Sequence, residues 1–471
     1  MSILHEITAR LRREHVTLQL DDIQALILRA RPEPYVGIHA MLHIDDAAGA
    51  RALIARMADH VASAQDWTDE RDAWMGLALS HAGLQALGLP QASLASFPLP
   101  FQQGMAQRAE QLRDVGENAP EQWEDAFRPG TCHVALTIYA RNEAARDVAV
   151  ANAMDVLRRS HGVTLVGTHA FGADADARNP FGFRDSISQP RVAGSGLDAL
   201  PGQERAIAAG EFILGENSET GAPVAMPQPP ELGRNGTFVV MRKYASRVGA
   251  FNDFVRAHAQ GEAAEELLGA KMVGRWRSGA PLVLAPEADD PALGADPARN
   301  NDFDFAQDVR GLACPHAAHM RRLNPRASAL TILTDVNIHR IIRRSSTFGP
   351  KWERSVTARD DSTGDGAGAG GHDDGKDARG IFFIFISARA YDTIEFLQQE
   401  WINRGNFIDL GEERDPVVGL HQEPGHFTVP ASPVRRRVPD VTTFNRLRGG
   451  EYLFMPSLTA LRWIGAAGWQ G

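Results

Sequence analysis

The chain has 471 residues, enough for two or three cores, with 43% hydrophobic and 23% charged residues, an ordinary globular mixture. A formal net charge of −10 argues against non-specific nucleic-acid binding. Two cysteines, Cys132 and Cys314, exclude a disulfide framework and a four-thiolate metal site. The start, MSILHEITARLRREH, lacks an apolar targeting core, and no apolar run reaches membrane-spanning length, so a cytoplasmic protein is expected.

In chain order, YVGIHAMLHI at Tyr35–Ile44 reads as a strand ending at Asp45-Asp46, which caps a helix over Gly49–Val61. A strand at Trp74–Leu79 leads into a short helix from His81, stopped by Gly88 and Pro90. The stretch Phe97–Trp123 is too long for a hairpin loop and is expected to be a helix beside the sheet. HVALTIYA at His133–Ala140 is a further strand, then a helix over Glu143–Arg159 and a strand at Val163–Gly167. This alternation predicts an α+β layer of antiparallel strands with helices on one face.

In the second half, Gly236–Lys243 and Gly380–Ser387 (GIFFIFIS) read as buried strands, Val248–His258 and Tyr391–Asn403 as helices. The glycine-rich acidic run Ser362–Lys376 cannot bury enough apolar area to order itself, so a mobile surface loop near 355–378 is expected. Its His372, Asp373 and Asp374 read as solvated rather than as a cation site.

Chemistry concentrates in GLACPHAAHMRRLNPR, Gly311–Arg326. His316 and His319 sit among Arg321, Arg322 and Arg326, a pattern that suits a metal-bound imidazole beside an anionic group, or equally a core histidine in a basic loop. FGFRDSISQP at Phe181–Pro190 sets Asp185 beside Arg184, either as an exposed ion pair or as a general base held over a pocket.

These two stretches resemble the signature of the dye-decolourising peroxidases. AWMGLALSHAGLQALGLP, PPELGRNGTFVVMRKY, KMVGRWRSGAPLV, FLQQEWIN and RGGEYLFMPSLTALRWI are similar to segments of the family's longer members, in the family's order. The resemblance implies two ferredoxin-like domains with antiparallel sheets and peripheral helices, the dimeric α+β barrel superfamily. The domains are expected at 1–200, with the aspartate loop, and at 201–471, with the haem-binding elements. It implies a peroxidase that reduces hydrogen peroxide while oxidising dyes or phenolics by one-electron steps, carries haem b, and assembles with copies of itself. A haem-binding or haem-handling protein with weak or no turnover is the alternative, followed by a chlorite-decomposing enzyme or an interaction module that has lost haem.

Carried over residue by residue, the motif before Met-Arg-Arg makes His319 the axial iron ligand. Asp185 becomes the distal acid–base, and Arg343, opening Arg-x-x-x-x-aromatic-Gly, the distal arginine, with Arg344 the alternative. Arg326 with His339 or Arg340 would meet the propionates. Ile381 and Phe383 would line the pocket above the haem, while Phe385 reads as sheet core. Glu395 is the candidate acid behind the axial histidine. Trp276, Trp352, Trp401, Trp463 and Tyr452 are offered as surface aromatics through which electrons could leave. Two positions depart from the family's pattern, Ser186 where glycine is usual and Ser345 where glycine or asparagine is. A Cβ at Ser186 disfavours positive φ, so a shifted turn or a reoriented Asp185 is expected.

Overall fold

The computed structural model describes residues 16–68, 70–173, 176–199, 204–326, 336–364, 378–406 and 410–469. His372, Asp373 and Asp374 lie outside the described residues. Among the described residues no helix is long and apolar enough to cross a membrane.

Eleven strands are described: β1 Tyr35–Ile44, β2 Ala73–Leu79, β3 Val134–Ala140, β4 Val163–Ala173, β5 Thr237–Ser246, β6 Ile342–Arg343, β7 Ser346–Phe348, β8 Gly380–Ser387, β9 Gly425–Val429, β10 Arg436–Val441 and β11 Asn445–Met455. Nine of them form one antiparallel sheet in the order β4-β1-β3-β2-β11-β5-β8-β6, with β7 also on β8, and β9 and β10 make a separate ribbon. The strands of the first half occupy one end of this path and those of the second half the other. A single residue pair, Leu79 with Phe454, joins the halves across β2 and β11.

The path does not close into a barrel. Its ends approach through side chains instead: Thr347 Oγ1 on β7 donates to the Gly172 carbonyl on β4 at 3.1 Å. His39 bridges Thr137 and Ser346, at 3.0 Å to each hydroxyl, and so ties β1 to β7 through the buried space between the halves. Buried strands of this kind show no polar face in sequence: every residue of β3 is inside.

Helices cover the outer faces, Ala47–Ala58 and Glu143–Arg158 in the first half and Ala390–Phe396 on β5 and β8 in the second, while Val248–His258 packs beside β10. The Asp46 carboxylate caps the first by accepting from Gly49 N at 2.7 Å. Leu53, Ile54 and Met57 turn its apolar stripe into the core, as the periodicity predicts.

One expectation fails. Residues 97–123 are not one helix but a run of short turns, Leu99–Gln103, Ala106–Arg108, Ala109–Leu112 and Gly116–Asn118 among them. Pro98, Pro100 and the positive-φ glycines Gly104 and Gly116 interrupt any longer helix. The segment from Tyr391 is helical as expected, α-helical through Phe396 and then a π turn over Leu397–Ile402.

Candidate active site

One cavity, of about 290 Å³, opens between the helices and β8 of the second half and the loop that follows β4. It is lined by Asp185, His319, Arg326, His339, Arg343, Ile381 and Phe383, seven of the eight candidates, together with Ile394, Leu397, Ile402 and Val417. Stretches far apart in the chain thus meet at one hole.

One wall is His319, the first residue of the short helix His319–Leu323. Its Nδ1 lies 2.8 Å from Asp415 Oδ2. A carboxylate can only accept, so Nδ1 carries the proton and Nε2 keeps its lone pair for the cavity. Asp415 is fully buried. Burial pushes its carboxyl up, but the His319 ring, Arg322 and the Val418 N–H together hold it below the usual range. Oδ1 accepts from Val417 N at 2.9 Å and Val418 N at 3.0 Å, so the Asp415-Pro416 turn clamps the carboxylate before it meets the ring.

Glu395 is therefore not the acid behind His319. Ile394, Leu397 and Gln398 occupy the cavity face of their helix, and Glu395, one step round, points elsewhere. It accepts from Arg108 Nε at 2.8 Å and Nη2 at 2.5 Å, and from the Tyr452 hydroxyl at 3.1 Å.

Asp185 stands on another wall, in a compact loop. Asn179 Oδ1 accepts from Phe181 N and Phe183 N, and Asp185 N donates to Ala177 O at 2.8 Å. Gly182 has φ +83°, and a Cβ there would fall 2.7 Å from the Trp352 ring, so only glycine fits. The Arg343 guanidinium stands 3.6 Å from Asp185 Oδ1, and its Nη2 is fixed on Ser188 O at 2.9 Å. Burial raises the Asp185 carboxyl, but Arg343 and a second guanidinium, Arg31, overcome this and keep it below the ordinary carboxylate range. Arg344, the neighbouring candidate, is turned away, donating to Leu26 O and Ile27 O.

Ser186 overturns the expected shift of the turn. It adopts φ +66°, the left-handed conformation glycine would take, and its hydroxyl accepts from Arg31 at 2.6 Å.

The basic cluster divides. Arg321 and Arg322 are structural: Arg321 pairs with Asp308 at 2.9 Å, and Arg322 Nε donates to Trp401 O at 2.6 Å. Arg326 faces the cavity and stacks on Phe303 at 3.9 Å, donating to Asn301 O at 2.9 Å. Its buried Nε has no hydrogen-bond partner among the described residues, with the Glu204 carboxylate 3.9 Å away. Arg340 pairs with Glu204, and His339 stacks on Phe396 at 4.1 Å. Burial, with Arg326 and Arg343 nearby, lowers Arg275 to about 9. Five arginines and one carboxylate line the cavity among the described residues. That imbalance, with the unsatisfied Arg326 Nε, fits a group that is apolar over most of its area and anionic at one edge.

Of the aromatics expected at the surface, Trp276, Trp401 and Tyr452 are buried, and only Trp352 and Trp463 reach solvent in part.

Residues 38–168 match the family model described as the DyP dimeric alpha+beta barrel domain. The chain is 33% identical over 430 residues to a dye-decolorizing peroxidase of Mycena epipterygia, covering 83% of this chain and 76% of that one. It is 31% identical over 409 residues to one of Mycetinis scorodonius, with the same coverage. A solved dye-decolorizing peroxidase in complex with 2,6-dimethoxyphenol superposes with a TM-score of 0.78 at 28% identity, covering 95% of this chain and 100% of that one. Fold and likeness together define an oxidoreductase of the dimeric α+β barrel class. The chain belongs to the dye-decolourising peroxidase family, and it is a peroxidase.

Proposed function

We propose that this peroxidase carries haem b in the cavity between His319 and Asp185 and uses hydrogen peroxide to oxidise dyes and phenolics. The observation that carries the reading is the His319–Asp415 pair, which leaves one imidazole nitrogen with its lone pair toward an apolar cavity facing Asp185 and Arg343. Haem supplies, when bound, an iron that peroxide oxidises and that returns to rest by one-electron steps from a reducing substrate.

His319 would hold the haem iron through Nε2, with Asp415 orienting the ring and raising its basicity. Arg326 meets the anionic edge, with Arg340 and His339 beside it. Ile381 and Phe383 would keep water out of the cavity. Asp185 would take a proton from one oxygen of hydrogen peroxide and return it to the other. Arg343 stabilises the negative charge that develops on that oxygen, where a fixed guanidinium in a dry site is most effective. The 2,6-dimethoxyphenol bound by a relative makes methoxyphenols the first reductants to try.

The test is haemin titration of the purified protein followed by peroxide-driven oxidation of 2,6-dimethoxyphenol. A stoichiometric Soret band lost in His319→Ala, together with turnover in the parent, is expected. Haem uptake unchanged in His319→Ala would overturn the ligand assignment, and uptake without turnover would leave a haem-handling protein.

A further inference from the structure

Asp185 is faced by two guanidiniums, and the second comes from a part of the chain that shares no motif with it. Arg31 opens the Arg-Pro-Glu-Pro segment that enters β1, where Pro32 and Pro34 fix the backbone. Its side chain is 6% exposed. The guanidinium lies over the Tyr35 ring at 4.5 Å and is held from two sides: Nη1 donates to the Ser345 carbonyl and Nη2 to Ser186 Oγ at 2.6 Å. In that position Nη2 stands 3.4 Å from Asp185 Oδ2, while Arg343 stands 3.6 Å from Oδ1.

We propose that Arg31 is a second distal cation, a positioning residue that keeps the Asp185 carboxylate ionised and aimed into the cavity, with Ser186 and Ser345 as its anchors. The inference rests on the reading of Asp185 as the group that handles the peroxide proton. Neither guanidinium makes the short contact of about 2.8 Å that a tight carboxylate pair shows. The charge of Asp185 is thus stabilised from both sides while its oxygens keep acceptor capacity for a proton from the cavity. A single closely bound arginine would hold the charge and occupy the lone pairs as well.

The two serines acquire one explanation. Ser186 sits at a φ that L-residues avoid, and its hydroxyl supplies the acceptor that fixes Arg31. Ser345 contributes its carbonyl because Arg344 N and Ser345 Oγ both bond Ile384 O on β8, at 2.7 and 3.4 Å, which fixes the backbone there. Among the described residues, Arg343 faces Asp185 from β6, Tyr35, Tyr139 and the buried Arg344 face Arg31, and Glu33 is exposed.

The experiment compares the haem-loaded parent with Arg31→Gln, Arg31→Lys and Ser186→Gly by two readouts. The first is an infrared titration of the Asp185 carboxyl band, assigned by its loss in Asp185→Asn, which needs no turnover. The second is the pH profile of the Soret change on mixing with peroxide. In Arg31→Gln both the infrared midpoint and the acid limb move to higher pH by about one unit, the effect of removing an opposite charge at this range. Arg31→Lys restores most of the shift, and Ser186→Gly, which frees the guanidinium without deleting it, moves both part of the way. An unmoved infrared midpoint in folded Arg31→Gln overturns the proposal, and if that variant does not fold, an unmoved midpoint in Ser186→Gly does so. A moved midpoint with an unmoved acid limb supports the hold of Arg31 on Asp185 and overturns the reading of Asp185 as the proton carrier.

Discussion

Replacing Asp415 by asparagine isolates one feature of the site, the direction of a single hydrogen bond. Oδ1 accepts from Val417 N and Val418 N, so the oxygen of the introduced amide must take that side to keep both backbone donors satisfied. The amide nitrogen then faces His319 Nδ1, which in the parent lies 2.8 Å from an acceptor, and two donors cannot share that line. The ring resolves the conflict by moving its proton to Nε2, the nitrogen required for the iron. Losses on changing such a partner of a metal-bound histidine run to about 10–100-fold in affinity, or about 1.4–2.8 kcal/mol. Haemin titration followed at the Soret band measures this directly. Asp415→Ala is the harsher change: the buried acceptor of three donors is removed, and a loss of about 1–3 kcal/mol of folding stability for each donor left unsatisfied is expected by thermal or urea unfolding. If Asp415→Asn took up haemin with parental affinity and an unchanged spectrum, the tautomer argument would be wrong, and His319 would not be the ligand through Nε2.

Asp185→Asn and Arg343→Leu are each expected to slow the reaction with peroxide by about 10²-fold or more while leaving haem uptake intact, because each removes distal chemistry and no proximal bond. Stopped-flow mixing checks this, and parental rates in both would refute the distal assignment. Two carboxyls give opposite slopes of stability with pH. Asp185 is depressed in the fold, so its contribution is present above the unfolded value and is lost as acid takes the pH down through the folded one. Glu451, raised to about 7 by burial against only the Tyr452 and Met105 N–H groups, holds its proton in the fold after the unfolded chain has released it. Stability therefore falls as pH rises between the ordinary glutamate value of 4.5 and about 7, and Glu451→Gln flattens that decline in melting curves across the range.

The strands were legible because alternation and β-branched runs survive in sequence, and Tyr35–Ile44 and Gly380–Ser387 fall where the residues put them. The joining of the halves was not. It rests on Leu79 against Phe454, nearly four hundred residues apart, and no local pattern encodes such a pairing. The failure at 97–123 has a simpler cause. Its length, too great for a hairpin loop, suggests a helix, and its prolines and glycines forbid a long one.

Within the site, the residues that carry a motif were visible and those that only hold a motif residue in place were not. His319 and Asp185 announce themselves by their neighbours, whereas Asp415 is an acid before a proline, which reads as any turn, and only the fold brings it 2.8 Å from the ring. Glu395 lies on the helix that lines the cavity, where an acid one position out of phase reads the same in sequence as one in phase. Arg31 is a stronger instance of the same limit. Nothing in Arg-Pro-Glu-Pro separates a buried guanidinium from an exposed one, and the clue lay at Ser186, a residue that breaks the expected pattern. A Cβ at φ +66° costs about 1–2 kcal/mol, comparable to the roughly 1.5–3 kcal/mol that a hydrogen bond to a charged group returns. The serine is thus tolerable because of the arginine, and the arginine is placed by the serine. A departure from a family's pattern is then better followed to its new partner than scored as a defect.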